Sequence, residues 1–141
     1  MNISSFYPVL MTSNVKGLRD FYCEYFDFSI AFEADWYVSL KKRQAQQVIE
    51  LALLESHHPT IPPGYDTDAR GVILNVEVAD ALAAYDRLVG QGRIKAVLPL
   101  RDEAFGQRHF IIQDPAGNLI DIIENIAPSK EFEENYTPNG A

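Results

Sequence analysis

Two apolar segments of the chain each carry one acidic residue where the neighbouring side chains favour burial. The segment VIELALLE, residues 48–55, contains Glu50, and the segment NLIDIIEN, residues 118–125, contains Asp121. An ionised carboxylate that is buried without a partner destabilises a fold or is forced to take up a proton. Each acid therefore needs one of two environments. Either it has a partner inside the fold, or it faces solvent and a ligand.

Two interpretations of these acids follow from their chemistry. In the first, each acid pairs with an arginine, a tyrosine hydroxyl or backbone N–H groups, and Arg108, Arg70 and Tyr7 are candidates for this role. In the second, both acids line an apolar, solvent-filled concavity and present negative charge to a ligand. The residues alone leave both interpretations open.

The two acidic segments are the last strands of two similar halves of the chain. The first half begins with a strand over Ile3–Met11, which is followed by the helix-capping residues Thr12, Ser13 and Asn14. Apolar residues at helical spacing come next, and three strand-like runs follow them. The helix is marked by Val15, Leu18, Tyr22, Tyr25 and Phe26, and the strands span about 28–33, 36–41 and 47–54.

A segment with three prolines and a glycine, SHHPTIPPGYDTDAR, separates the halves, and we predict a linker over residues 56–69. The order then repeats, with a strand over 71–78, a helix over 80–89 and strands over about 95–100, 108–113 and 118–125. We therefore predict two βαβββ modules, at about 3–55 and 70–126, in a single domain over residues 1–127.

Residues 128–141 form a polar, acidic tail. Its composition is typical of a frayed end. The alternative is a flap in which Phe132 and Tyr136 cover a pocket or a neighbouring subunit.

Composition narrows the class of partner. The chain has 141 residues and a net charge of −8, so we expect no binding to nucleic acid or to an anionic membrane. Cys23 is the only cysteine, which excludes an intramolecular disulfide. The sequence has neither a signal-peptide pattern nor an apolar run of about 20 residues, so we expect a cytoplasmic protein. Phosphate-loop, GxGxxG, GxSxG and HExxH motifs are also missing, so the sequence does not support the chemistries that they serve.

The order of elements and three motifs resemble the vicinal oxygen chelate superfamily, which includes glyoxalase I, extradiol dioxygenases, fosfomycin-modifying enzymes and bleomycin resistance proteins. The motifs are VKGLRDFYCEYFDF, VIEL and FGQRHFIIQDPAGNLIDIIE, and the resemblance extends from about Ile3 to Asn125. It implies an α+β fold in which two βαβββ modules form a curled mixed-sheet cup. It also implies that one helix packs on each module and that a homodimer completes the cup.

The resemblance implies a set of metal ligands with one residue from each of the first, fourth, fifth and eighth strands. In this sequence those positions fall on Tyr7, Glu50, Val72 and Asp121. A catalytic divalent centre normally needs about three good protein ligands, whereas neutral tyrosine is a poor ligand and valine is none. We therefore expect no metal cofactor and no catalytic residue. If one divalent metal ion is bound, its candidate ligands are Glu50, Asp121 and Tyr7.

The length, the acidity and the FGQRHFIIQDPAGN ending are similar to those of the bleomycin-resistance type, which binds without metal. This similarity implies a dimer that sequesters a small hydrophobic, cationic or aromatic ligand without performing chemistry. Trp36 and Tyr37 are consecutive in a strand and point to opposite faces, and we expect Trp36 to face the ligand. The complete predicted lining of the cavity is Tyr7, Trp36, Glu50, Val72, Phe105, Arg108 and Asp121.

Two further alternatives remain open. The chain can be a metal-dependent glyoxalase-type lyase or isomerase, or a dioxygenase, that keeps both acids and recruits Tyr7 or His109 as a further ligand or base. It can also be an interaction module whose cup has filled with side chains. In the RHF run, either Arg108 or His109 must face the cup. His57 and His58 are expected to be solvated loop residues.

Overall fold

The computed structural model describes residues 1–138, and the chain divides into two compact units. Unit 1 comprises Met1–Gly71 together with Asp114–Gly117. Unit 2 comprises Val72–Gln113 together with the chain from Asn118 onward. Each unit holds the four strands of one predicted βαβββ module and the helix that follows its first strand.

Unit 1 is a four-stranded mixed sheet with one helix. Its elements are β1 (Val9–Thr12), α1 (Val15–Phe26), β2 (Ser29–Glu33), β3 (Tyr37–Gln44) and β4 (Gln47–Glu55). The strand order is β1-β4-β3-β2, in which β1 runs parallel to β4 and the other neighbours are antiparallel. The helix begins after Asn14, whose side chain accepts a hydrogen bond from Gly17 N, and ends at Asp27 in the left-handed conformation.

Unit 2 repeats this arrangement. Its elements are β5 (Ile73–Glu77), α2 (Ala81–Tyr85), β6 (Ala96–Glu103), β7 (Gln107–Gln113), β8 (Leu119–Asn125) and α3 (Lys130–Glu133). The strand order is β5-β8-β7-β6, with β5 parallel to β8 and the other neighbours antiparallel. The predicted α+β class with two βαβββ modules is therefore confirmed.

The first strand is shorter than predicted. β1 begins at Val9 instead of Ile3, and the side chain of Phe6 is 92% exposed. Pro8 cannot donate a hydrogen bond to a neighbouring strand, although its carbonyl oxygen accepts one from Ala52 N at 3.1 Å. The apolar residues before Pro8 therefore lie outside the sheet.

The second helix also differs from the single helix predicted over residues 80–89. α2 is followed by a π-helix over Asp86–Gln91, where Gly92 N donates to the oxygen of Arg87, five residues earlier, at 2.8 Å. A Cβ atom on residue 92 would lie 2.7 Å from Leu88 O, so this wide turn requires glycine. Such π-turns are rare and are not visible in apolar periodicity.

The C-terminal segment folds back on the turn between β6 and β7. Ser129 N donates to Ala104 O at 2.8 Å, and the Phe132 ring packs edge-on against Phe105 with centroids 6.3 Å apart. The Tyr136 hydroxyl donates to the carbonyl oxygen of Phe105. The described part of the predicted tail is therefore anchored, and its last three residues lie outside the described residues. Over residues 1–138, no helix is both long enough and apolar enough to cross a membrane.

Candidate functional site

Glu50 lies on the face of the first sheet that α1 leaves uncovered. Successive side chains of a strand point to opposite faces. Lys42 of β3 reaches the end of α1, where its ammonium group donates to Phe26 O at 3.2 Å. Lys41 therefore points to the other face, together with Glu50, its direct cross-strand partner on β4. We call this surface, which also includes Tyr37 of β3, the Glu50 face.

Asp121 lies on the corresponding face of the second sheet. Tyr85 of α2 packs edge-on against Phe110 of β7, with centroids 5.1 Å apart, which identifies the helix-covered face. Asp121 pairs across the strands with Ile111, the neighbour of Phe110, and so points to the opposite face. We call this surface, which also includes His109 of β7, the Asp121 face.

The carboxylate of Glu50 is paired within its own sheet. Lys41 Nζ lies 3.2 Å from Glu50 Oε1, and the Glu50 side chain is only 15% exposed. Tyr37 lies beside this pair and shares a hydrogen bond with Tyr7. Burial raises the pKa of the Tyr37 hydroxyl, and its neighbours Tyr7 and Glu50 raise it further. The Glu50 face therefore presents a salt bridge and the hydroxyl groups of Tyr7 and Tyr37.

The carboxylate of Asp121 is paired with a histidine. His109 Nδ1 lies 2.8 Å from Asp121 Oδ1, and His109 Nε2 lies 3.0 Å from Glu103 Oε2 on β6. His109 is directly opposite Ile123, so it reaches Asp121 along the diagonal of one face. Both ring nitrogens face carboxylates, so both act as donors when the ring is protonated.

These contacts determine the net charge of the cluster that Arg101, Glu103, His109 and Asp121 form. Burial lowers the pKa of His109, but its hydrogen bonds with Glu103 and Asp121 outweigh burial, so the pKa lies above its ordinary value. The hydrogen bond from His109 lowers the pKa of Glu103, and Arg101, whose Nη2 lies 3.0 Å from Glu103 Oε2, lowers it further. Two cations thus balance two anions, and neither His109 nitrogen is left for another partner.

Arg108 does not join this cluster. Its cross-strand partner is Glu124, on the helix-covered face, and its guanidinium contacts Asp102 at 2.8 Å and Glu124 at 3.6 Å. Of the two residues in the RHF run, His109 is the one on the Asp121 face. The strand register therefore corrects the expectation that Arg108 lines the same surface as Asp121.

The remaining predicted residues lie in three different places. The Trp36 ring stacks on His58 with centroids 4.0 Å apart, and Tyr37, not Trp36, lies on the Glu50 face. Phe105 occupies the turn between β6 and β7 and packs against the C-terminal segment. Val72 precedes β5 and falls, by alternation, on the face opposite to Asp121.

The sequence pattern indicates neither Lys41, the partner of Glu50, nor Glu103, the second partner of His109. Lys41 was not singled out, although a hairpin register aligning β3 with β4 would have placed it opposite Glu50. Glu103 was assigned to a loop because β6 was predicted to end near Leu100, whereas it continues to Glu103. From the turn, the register is continuous from the Glu103–Gln107 pair to the Arg101–His109 pair, and the two irregularities of β6 lie between Ala96 and Arg101.

The residues implied as metal ligands do not fit a divalent centre. Glu50 and Asp121 already bind Lys41 and His109, Val72 has no donor atom, and Tyr7 shares its hydroxyl with Tyr37. Within residues 1–138 there is no group of three or more His, Cys, Asp or Glu side chains arranged to hold a metal ion. The donor set thus falls short of the roughly three good ligands that such a centre needs.

Each βαβββ unit carries one acid on the uncovered face of its last strand, and this arrangement indicates the class of protein. The chain belongs to the Glyoxalase/Bleomycin resistance protein/Dioxygenase superfamily, whose sequence profile matches residues 6–122. The predicted resemblance is therefore confirmed. A search of the curated proteins found no match.

Several solved structures share the fold. A protein of unknown function from Agrobacterium tumefaciens str. C58 is 22% identical, with a TM-score of 0.65 over 89% of this chain and 97% of the other. A glyoxalase/bleomycin resistance protein/dioxygenase from Nocardioides is 17% identical, with a TM-score of 0.70 over 89% and 85%. Lactoylglutathione lyase from Agrobacterium tumefaciens is 18% identical, with a TM-score of 0.66 over 88% and 96%. Similarity at these identities shows the fold alone.

Proposed function

We propose that this chain is a metal-independent small-molecule-binding protein of the superfamily. It takes a hydrophobic or cationic ligand on the uncovered sheet faces that carry Glu50 and Asp121, and it acts as a homodimer. Exposed apolar side chains, including Phe6 and Phe32, which are 92% and 53% exposed, support an association surface.

The observation that carries the proposal is the pairing of both strand acids with bases. Glu50 Oε1 lies 3.2 Å from Lys41 Nζ and Asp121 Oδ1 lies 2.8 Å from His109 Nδ1, so a metal ion at either acid would have to compete with that base. Apolar side chains share these faces, since Ile111 is the cross-strand partner of Asp121 and Leu54 is the cross-strand partner of Tyr37. An apolar wall with a few fixed polar groups is typical of a small-molecule site.

The first test compares a flat aromatic cation with its neutral analogue. N-methylquinolinium and quinoline, at pH 8 where quinoline is neutral, are titrated calorimetrically into chelator-treated protein, and the oligomeric state is measured by light scattering. A cation must compete with Lys41 for Glu50, so Lys41→Met should strengthen binding of the cation and Glu50→Gln should weaken it. Neither change should affect quinoline.

The outcomes separate the parts of the proposal. Saturable binding of either probe without metal supports it, and the response to Lys41→Met identifies the ligand class. Unchanged affinity for N-methylquinolinium in both Glu50→Gln and Asp121→Asn, or binding that requires an added metal ion, would overturn it. Failure of both probes and of a wider panel of aromatic compounds would favour an interaction module.

A second candidate is a glyoxalase-type lyase or isomerase, and the contact between His109 and Asp121 favours it. A histidine held by a carboxylate is a common arrangement for proton transfer, although here Glu103 must first release Nε2. The experiment measures the metal content of protein purified without chelator, together with lactoylglutathione lyase activity. Near-stoichiometric nickel, zinc, manganese or iron, with activity lost in His109→Gln, would replace the binding proposal.

A further inference from the structure

A cleft of about 600 Å³ lies beneath the C-terminal segment in unit 2. One wall is the end of the Asp121 face, where Gln107 and Asn125 are cross-strand partners. Glu77, the last residue of β5, pairs with Ile123 and so points to the same face. The opposite wall is the C-terminal segment, which contributes Glu133 and Tyr136.

The second wall is held in place by a close approach at Gly106. This glycine has a φ of +112°, and a Cβ atom there would lie 2.9 Å from the Tyr136 hydroxyl and 3.0 Å from Ile126 O. Ile126 N donates to Gly106 O at 2.9 Å, and the Tyr136 hydroxyl donates to Phe105 O. A residue with a side chain at position 106 would push the wall away.

The cleft differs in charge from the Lys41–Glu50 and His109–Asp121 pairs. Its lining contains Glu77 and Glu133 but no lysine, arginine or histidine among the described residues. Within residues 1–138 neither glutamate makes an ion pair, whereas Glu50, Glu103 and Asp121 all do. The remaining polar groups are two amides, whose oxygens accept hydrogen bonds, and a phenol ring.

We propose that this cleft binds the ammonium group of an organic cation. Two uncompensated carboxylates in a concavity attract positive charge, and the Tyr136 ring offers a face for a cation–π contact. The cleft volume lies in the range of small-molecule pockets, roughly 300–1,000 Å³, and far exceeds that of a bare ion. Ile126 and Pro128 supply the apolar contacts that an organic ligand needs. One wall of the cleft belongs to the Asp121 face, so this inference deepens the proposed function, although Glu77 and Glu133 belong to neither paired acid cluster.

The test uses choline and its neutral isostere 3,3-dimethylbutan-1-ol, titrated separately into the ¹⁵N-labelled full chain and followed by NMR. Choline should cause saturable shifts of the Gly106, Gln107 and Ile126 amides, and the isostere should not. The double variant Glu77→Gln/Glu133→Gln should weaken choline binding about tenfold, the combined effect of losing two exposed ion pairs. Both glutamates are exposed, so the variant should keep the wild-type spectrum elsewhere.

Two controls make the outcome decisive. Glu131→Gln removes an exposed carboxylate of α3 that does not line the cleft, and it should leave choline binding unchanged. Glu50→Gln, on the sheet of unit 1, should also leave the choline-induced shifts of Gly106, Gln107 and Ile126 unchanged, which separates this site from the Glu50 face. Equal shifts with the isostere, full binding by the double variant, or no saturable shift with choline would each overturn the proposal.

Discussion

Glu50 and Asp121 occupy equivalent strands of the two modules, but their removal should destabilise the protein by different amounts. Lys41 is 38% exposed and its pair with Glu50 is screened by water, so Glu50→Gln should cost about 0.5–1 kcal/mol. The side chains of His109 and Asp121 are only 7% and 12% exposed. Asp121→Asn replaces the carboxylate by a neutral amide, so the buried imidazolium loses one of its two counter-charges, which should cost about 2–3 kcal/mol.

These magnitudes translate into separable melting temperatures. For a chain of 141 residues, 1 kcal/mol corresponds to about 4 °C, so Tm should fall by about 2–4 °C in Glu50→Gln and about 8–12 °C in Asp121→Asn. The assays, both at pH 6, are thermal unfolding for Tm and urea unfolding for the free energies of a double-mutant cycle that combines Asp121→Asn with His109→Gln. The coupling energy should be about 1–2 kcal/mol because the two side chains are in direct contact.

Two results would refute this reasoning. If Asp121→Asn is no more destabilising than Glu50→Gln, burial does not determine the strength of the two pairs. If the double-mutant cycle gives no coupling, the hydrogen bond between His109 and Asp121 does not stabilise the folded state. In either case the denaturant dependence, m, must match that of the wild type for the comparison to be valid.

Two further predictions concern pH and a buried tyrosine. The pKa of His109 is raised in the folded state, so its stabilisation is complete below the unfolded value of about 6.5 and is lost as the pH rises through the folded value. Urea unfolding at several pH values should show this loss in the wild type but not in His109→Gln, and parallel curves would contradict it. Tyr22→Phe removes a hydrogen bond of 2.7 Å to buried Asp114 and should cost about 1–3 kcal/mol in the same assay. Tyr25→Phe is the control, and an equal loss there would contradict the assignment.

Much of the fold was predictable because it depends on local patterns. The helix cap at Asn14, the apolar run around Leu51 and Leu53, and the PAGN turn after Asp114 indicate elements that short-range sterics and hydrogen bonds define. The π-helix was not predictable because it depends on one close backbone approach at Gly92. The anchored C-terminal segment was left undecided, since its contacts with Phe105 and Gly106 involve residues about 20 to 30 positions away.

The candidate site also depends on contacts that local sequence patterns do not predict. The sequence by itself determined that Glu50 and Asp121 lie in apolar strands and that each needs a partner, because an isolated buried charge is unfavourable in any fold. Only the tertiary structure decided that the partners are Lys41 and His109 and that Arg108 points the other way. The physical reason is strand register, since a shift of one residue, or a bulge such as those in β6, moves a side chain to the opposite face.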